Sequence, residues 1–259
     1  MLSIAGSDPS GGAGIQADLK TFHACGVYGA AVVTSLTAQN TVGVRDRRDV
    51  EPAFVAAQLT AVLDDLPVAA AKTGMLPNAG VVAAVVEVLR ARPIPALVVD
   101  PVLVATSGVA LADPTTLEAL RDGLVPMSSV VTPNLLEAEA LTGRPVRTHA
   151  EMREAARALV AMGARAALVK GGHLPDRACD VLAIGGTIHE LDAPRIDVGA
   201  THGTGCTLSA ATAAGLAAGL PLLDAVTRAK RYVTRALVAS VPLGRGSRPL
   251  DHRVRPDDG

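Results

Sequence analysis

Aromatic residues are nearly absent from this sequence: they make up 2% of its 259 residues, and there is no tryptophan. A core without large rings has to be built from Ala, Val and Leu, which suits helices packed closely on a buried parallel sheet. Hydrophobic residues account for 49% of the chain, so a large core can form.

Excess charge and cysteine are also scarce. The formal net charge is −1, which gives no indication of a nucleic-acid partner or of binding to an anionic membrane surface. Cys25, Cys179 and Cys206 are odd in number and widely spaced, so they indicate neither a disulfide framework nor a metal site. Cys25 and Cys179 are interpreted as small buried apolar residues.

Long apolar runs are missing as well. The run from Val81 to Leu89 is too short and interrupted to span a bilayer. The N-terminus enters a polar Gly/Ser segment by Gly6, unlike a signal peptide, so we expect a cytoplasmic protein. With no linker-like break in composition, residues 1–259 are predicted to form one domain with a loosely held tail after Leu243.

Short apolar runs alternate with helical patterns along the chain. The predicted strands are Leu2–Ala5, Ala30–Leu36, Val68–Lys72, Ala96–Asp100, Ser129–Thr132, Ala166–Lys170 and a hairpin of Cys179–Ile184 with Thr187–Leu191. The predicted helices are Ile15–Cys25, Phe54–Leu66, Ala79–Arg92, Thr115–Leu124, Leu135–Leu141, Glu151–Met162, Thr207–Ala218 and Leu223–Ser240. This alternation predicts an α/β fold with a mostly parallel sheet covered on both faces, whose ligands bind beyond the carboxyl ends of the strands.

Two glycine-rich segments are candidate anion sites. The segment from Gly6 to Gly14 follows the first strand, and by itself it fits a ligand loop and a tight strand-to-helix turn equally well. The segment Thr201-His-Gly-Thr-Gly-Cys-Thr207 opens a long helix, where amides and the helix dipole favour phosphoryl oxygens. A lowered thiol pKa is expected for Cys206 there, so its thiolate could accept a proton, and we prefer this to a mere packing role.

Four polar residues follow predicted strands and leave alternatives open. Asn134 and Glu137 lie on one helix face and fit either a helix cap, which these residues alone favour, or a hydrated Mg²⁺ site. Asp100 fits a turn or a cation site, and Lys170 fits a phosphate contact or a snorkelling surface lysine. Together with the anion site, they are the parts that phosphoryl transfer needs.

These motifs, taken together, resemble the hydroxymethylpyrimidine/phosphomethylpyrimidine kinases of thiamin biosynthesis, which belong to the ribokinase-like superfamily. The resemblance runs in consistent order from residue 2 to about Ser240. It is carried by Ala5-Gly-Ser-Asp-Pro-Ser-Gly-Gly-Ala-Gly-Ile-Gln-Ala-Asp-Leu-Lys20, Ala38-Gln-Asn40, Lys72-Thr-Gly-Met75, Thr132-Pro-Asn-Leu-Leu-Glu-Ala138, Lys170-Gly-Gly-His173 and Thr201-His-Gly-Thr-Gly-Cys-Thr-Leu-Ser209.

The resemblance implies a three-layer αβα sandwich, ATP and Mg²⁺ as cofactors, a pyrimidine substrate and a homodimer. It implies an anion hole at Gly203, Thr204, Gly205 and Cys206, with Cys206 as the base, and it places Lys170 and Thr204 at the nucleotide phosphates. It places Asp100, Asn134 and Glu137 around the metal, which reverses the preference for a helix cap. The implied pyrimidine pocket consists of Gly6, Asp18, Gln39, Met75 and Val102. Gln39 can both donate and accept hydrogen bonds, which suits an aminopyrimidine edge.

Two other functions fit the same motifs. A pyridoxal or pyridoxine kinase shares the fold and the anion hole, and Gln39 is the residue that favours the aminopyrimidine over it. A non-catalytic pyrimidine-binding relative would lack part of the phosphate machinery, whereas this chain retains it. One departure from the family pattern is Arg248, which stands in Gly244-Arg-Gly-Ser-Arg-Pro249 in place of a glycine.

Overall fold

The structure is a computed structural model that describes residues 1–103, 113–172 and 178–256. Its strands are β1 (Leu2–Ser7), β2 (Ala30–Asn40), β3 (Gly43–Asp49), β4 (Ala70–Thr73), β5 (Ala96–Val99), β6 (Val130–Val131), β7 (Ala166–Val169), β8 (Ala178–Ile184), β9 (Thr187–Ala193), β10 (Thr201–His202) and β11 (Arg248–Pro249). Its α-helices are α1 (Gly14–Ala24), α2 (Pro52–Asp65), α3 (Ala79–Ala91), α4 (Pro114–Ala119), α5 (Leu135–Thr142), α6 (His149–Ala161), α7 (Thr204–Ala217) and α8 (Leu222–Val238).

Nine of the described strands form one sheet in the order β3-β2-β1-β4-β5-β6-β7-β8-β9. The six central strands, from β2 to β7, are parallel, and antiparallel strands extend the sheet at both edges. The parallel strands place their carboxyl ends along one edge, so the loops after them converge.

Strand residues alternate between two apolar layers, as a sheet buried on both faces requires. Leu97 and Val99 of β5 belong to the core that includes α3 and α6, whereas Val98 between them packs in the core of α7 and α8. The predicted three-layer αβα sandwich with a mostly parallel sheet is therefore confirmed.

Several element boundaries differ from the predicted ones. Strand β3 was not predicted, and α7 begins at Thr204 rather than at Thr207. The predicted helix Thr115–Leu124 is α-helical only to Ala119 and continues as a π-helical turn over Leu120–Leu124. The shift at α7 matters most, because it places Thr204, Gly205 and Cys206 in the first helical turn.

Up to residue 256, the C-terminal segment is packed against the rest of the fold, unlike the loose tail predicted after Leu243. Strand β11 pairs with β10, and Leu250 is buried in the core of α7 and α8. The amide of Ser247 donates to the Thr41 carbonyl at 2.8 Å, which ties this segment to the turn between β2 and β3. These contacts hold the segment against the rest of the fold.

None of the described helices combines the length and the apolar character that crossing a bilayer would take.

Candidate active site

A large cleft lies beyond the carboxyl ends of β1, β4, β5, β6 and β7. Most of the predicted site residues line it: Gly6, Gln39, Met75, Asp100, Val102, Asn134, Glu137, Lys170, Gly203, Thr204, Gly205 and Cys206. His173, the last residue of the Lys170 motif, lies outside the described residues. The convergence of parallel strand ends thus brings distant sequence motifs to one place.

The N-terminus of α7 forms the centre of the cleft. Gly203 precedes it with a left-handed backbone, φ 83°, and a side chain there would collide with the Gly12 carbonyl oxygen. The first intrahelical bond runs from the Thr207 amide to the Gly203 carbonyl at 2.9 Å. The amides of Thr204, Gly205 and Cys206 therefore have no acceptor within the helix and can bind phosphoryl oxygens.

Lys170 and two carboxylates form a charged cluster beside this helix terminus. The Nζ atom of Lys170 lies 2.9 Å from Asp100 Oδ1 and 3.8 Å from Glu137 Oε2. A Cβ at Gly205 would lie 3.1 Å from the same Nζ, so the ammonium group is held against the first turn of α7. With a side chain only 14% exposed, Lys170 is not the snorkelling surface lysine that was the alternative.

Burial shapes the ionisation of this cluster. Burial, together with the nearby Asp100 carboxylate, raises the pKa of Glu137 to about 7, even though Lys170 acts in the opposite direction. Burial would raise the pKa of Asp100 too, but Lys170 and Lys72 outweigh it and hold that pKa below its usual value. A further cation near Glu137 would therefore be favourable, because it would offset the cost of burying a second carboxylate.

Asn134 and Glu137 form a complete capping box at the start of α5. Asn134 Oδ1 accepts from the Glu137 amide at 3.0 Å, and Glu137 Oε2 accepts from the Asn134 amide at 2.7 Å. The capping interpretation is therefore right as far as these bonds go. Both side chains also line the cleft, and each oxygen keeps a second lone pair, so a cap does not exclude a metal-binding role.

The expected low pKa of Cys206 is wrong for this structure. Burial raises the pKa of its thiol to about 11, and the neighbouring carboxylates of Asp100 and Asp18 act in the same direction. Lys72 and the Gly14 amide lower the pKa but do not compensate. The helix terminus thus lowers the thiol pKa too little to offset the burial of Cys206 beside two carboxylates.

The expected role of Asp18 in lining the pocket is also wrong. Its side chain is fully buried beneath the cleft, where its two oxygens lie 2.8 and 2.9 Å from Lys72 Nζ and one accepts from Ser3. Lys72 lines the cleft instead. Lys72 belongs to the motif Lys72-Thr-Gly-Met75, but no role was predicted for it. Its position at the end of a buried strand could have indicated one.

Gln39 of β2 and Met75, which follows β4, also line the cleft, and β2 is separated from β7, which precedes Lys170, by the four other parallel strands. Gly6 has no side chain to obstruct Met75, since a Cβ there would lie 2.5 Å from Met75 Cε. Asp8 and His202, which line the cleft beside Gln39, were not predicted as site residues, although both lie in the glycine-rich motifs. The cleft is also lined by residues 193–197, 199 and 200 and by four residues of α8.

Comparison with known proteins identifies relatives of the whole chain. The sequence pattern of the phosphomethylpyrimidine kinase family matches residues 8–251. A hydroxymethylpyrimidine/phosphomethylpyrimidine kinase of Rhizobium meliloti is 52% identical over 255 residues, which cover 97% of this chain and 96% of that one. A bifunctional thiamine biosynthesis protein of Geobacter sulfurreducens is 49% identical, and this chain spans 53% of its length.

The fold is also found among solved structures. The crystal structure of an ADP complex of Bacillus subtilis pyridoxal kinase superimposes with a TM-score of 0.90 at 38% identity, covering 97% of this chain and 96% of that one.

Proposed function

This chain belongs to the phosphomethylpyrimidine kinase family, and we propose that it phosphorylates 4-amino-5-hydroxymethyl-2-methylpyrimidine and then its monophosphate, with ATP, in thiamin biosynthesis. One observation carries the proposal: a single cleft is lined both by Gln39, whose amide can pair with a flat ring, and by the first turn of α7, whose amides have no acceptor within the helix. A cytoplasmic location is part of the proposal, because ATP is supplied there.

The chain's own residues divide the work of phosphoryl transfer. The amides of Thr204, Gly205 and Cys206 hold the transferring phosphoryl group, and Lys170 balances the charge that develops on it. Gln39, with Gly6, Met75 and Val102 around the ring, orients the hydroxymethyl group toward that site. Positioning and charge stabilisation of this kind are the main requirements of a loose transition state.

Magnesium is the proposed metal, and the residues present fit it. Among the described residues no group of three or more His, Cys, Asp or Glu side chains is arranged to enclose an ion. Asp100 and Glu137 both approach Lys170, and Asn134 adds an amide oxygen, a sparse oxygen set that suits an ion keeping most of its water. Bound there, Mg²⁺ would neutralise phosphate charge, and the raised pKa of Glu137 supports a nearby cation.

A homodimer belongs to the same proposal. Leu36 of β2 and Val42 in the turn between β2 and β3 both have exposed side chains. A second copy would cover these two apolar side chains, which otherwise remain in contact with water.

Pyridoxal kinase is the second candidate, favoured by the structural likeness to the Bacillus subtilis enzyme. Purified protein with ATP and Mg²⁺ should convert hydroxymethylpyrimidine to a mono- and then a diphosphate, with kcat/KM at least about tenfold above that for pyridoxal. Chelation of the metal should abolish turnover. A preference for pyridoxal would make the second candidate right, and no turnover of either would leave a non-catalytic binding protein.

The contribution of Cys206 is predicted to depend strongly on pH. With a thiol pKa of about 11, only about one thiol in a thousand is ionised at pH 8. Forming the thiolate then costs about 4 kcal/mol, comparable to a general base's contribution of about 10²- to 10⁴-fold in rate. We therefore expect kcat of Cys206→Ala to lie within about tenfold of native at pH 8, with a deficit of at least about tenfold by pH 10.

The control for this series is Cys179→Ala, which replaces a buried cysteine that is not among the residues lining the cleft and should lack the pH-dependent deficit. Alkylation of Cys206 should rise with pH toward 11, which a mass spectrometer can follow site by site. If the ratio of native kcat to Cys206→Ala kcat stays constant between pH 8 and pH 10, the Cys206 sulfur has a packing role.

A further inference from the structure

His202 joins the two glycine-rich loops to the end of β2 that carries Gln39. Its side chain is buried, and its Nε2 lies 2.8 Å from Asp8 Oδ2 and 3.0 Å from Gln39 Nε2. Gly12 leaves room for the imidazole, because a Cβ at that position would lie 2.6 Å from His202 Cδ2. One ring nitrogen thus faces a carboxylate and an amide at the same time.

Asp8 decides the role of that nitrogen. The carboxylate accepts from the Ser10 amide at 2.9 Å, from the Ser10 hydroxyl at 2.8 Å and from the Ala13 amide at 2.9 Å. Burial would raise the pKa of Asp8, but the hydrogen bonds from His202 and Ser10 outweigh it and lower that pKa. An ionised carboxylate can only accept, so His202 Nε2 carries a hydrogen and donates it to Asp8.

This assignment fixes what Gln39 can offer to its neighbours. A nitrogen that donates to Asp8 cannot accept from the amide nitrogen of Gln39. Thr37 Oγ1 gives its single hydrogen to the Ser7 carbonyl at 2.9 Å, so toward Gln39, 3.3 Å away, it can only accept. A half-turn of the Gln39 amide, which exchanges Oε1 and Nε2, removes both conflicts. The nitrogen then donates to Thr37, and the oxygen becomes the second acceptor of the one Nε2 hydrogen of His202, which it shares with Asp8 in a three-centre hydrogen bond.

We propose that His202, anchored by Asp8, is a positioning residue that fixes the orientation of the Gln39 amide and so sets the order of donor and acceptor presented to the substrate ring. The inference rests on the proposed function and deepens it. An aminopyrimidine edge offers an amino donor beside a ring-nitrogen acceptor, which a correctly turned amide pairs with twice. Pyridoxal carries a hydroxyl group and no amino group, so the same order does not match it.

A double-mutant cycle between His202 and Gln39 tests this inference. His202→Phe should lower kcat/KM for hydroxymethylpyrimidine by about 10- to 100-fold, mainly through KM, because a misturned amide leaves ring donors and acceptors unpaired. The value for pyridoxal should change by less than about threefold. In a Gln39→Met background, which has no amide to orient, His202→Phe should have less than about a twofold further effect.

His252→Phe is the matched control. The Nε2 atom of His252 lies 3.0 Å from Thr207 Oγ1 of α7, the helix that follows His202, and His252 is not among the residues lining the cleft. That variant should keep the native ratio of the two kcat/KM values. Additive losses in the cycle, or equal losses on both substrates, would overturn the positioning role. If His202→Phe fails to fold, His202→Met carries the same cycle with a smaller, flexible side chain that also lacks the ring nitrogen.

The native enzyme distinguishes this inference from the proposed function. If native protein does not phosphorylate hydroxymethylpyrimidine, the proposed function fails, and the inference fails with it. If native protein is active and the cycle is additive, only the role of His202 is overturned.

Discussion

Replacement of Lys170 by methionine is expected to lower kcat by about 10³-fold or more. Methionine keeps the length of the side chain but removes the only positive charge that touches Asp100 and Glu137 at short range among the described residues. Phosphoryl transfer depends on such charge stabilisation, and a single donor or cation aimed at the reacting group is commonly worth factors of this size. The measurement is steady-state kcat with saturating ATP, Mg²⁺ and hydroxymethylpyrimidine.

Loss of a buried ion pair could itself disturb the protein, so a second lysine serves as the control. Lys230 Nζ lies 2.7 Å from Asp180 Oδ2, and its side chain is 12% exposed, close to the 14% of Lys170. Both methionine variants break a pair of similar burial, but only Lys170 lies against the first turn of α7. Lys230→Met should therefore keep kcat within about tenfold of native. Equal losses in the two variants would attribute the effect to the broken pair.

Hydrophobic patterning carried most of the fold prediction. Helices α1, α3 and α6 begin and end within two residues of their predicted limits, because their apolar faces and flanking breakers are clear in the sequence. Strand β3 was not predicted because its sequence, Gly-Val-Arg-Asp-Arg-Arg-Asp, has no apolar alternation. Its pairing with β2 comes from backbone hydrogen bonds at the sheet edge. The pair β10 and β11 is too short to leave any periodic signal.

The site was less predictable than the fold, for electrostatic reasons. Local sequence places Cys206 at a helix terminus, but only the tertiary structure supplies the burial and the carboxylates that raise its pKa. In the same way, the motif that contains Asp18 gives no sign that Lys72, 54 residues further along the chain, will cover it. Which charges face each other across a sheet is decided by packing, and patterns along one segment carry little of that information.

The buried pair of Asp18 and Lys72 leads to the largest expected change in stability. Both side chains are 0% exposed, and Lys72 is held by both carboxylate oxygens. Burial would lower the pKa of Lys72, but Asp18 raises it, so the lysine stays charged. Lys72→Met should reduce the free energy of unfolding by about 3–5 kcal/mol, because it leaves a buried carboxylate without its cation. For a chain of this length, that loss corresponds to a fall in Tm of about 10 °C.

Two further variants separate the pair from general packing. Arg92 and Asp64 form an ion pair at 2.7 Å with 41% and 55% of their side chains exposed, so Arg92→Met should cost less than about 1 kcal/mol. The double variant Asp18→Leu/Lys72→Met removes both buried charges and should regain most of the lost stability, since apolar residues of similar size often replace a buried pair at little cost. Thermal and urea unfolding measure all of these variants. A double variant as unstable as Lys72→Met would mean that the loss of stability does not come from an unpaired Asp18 carboxylate.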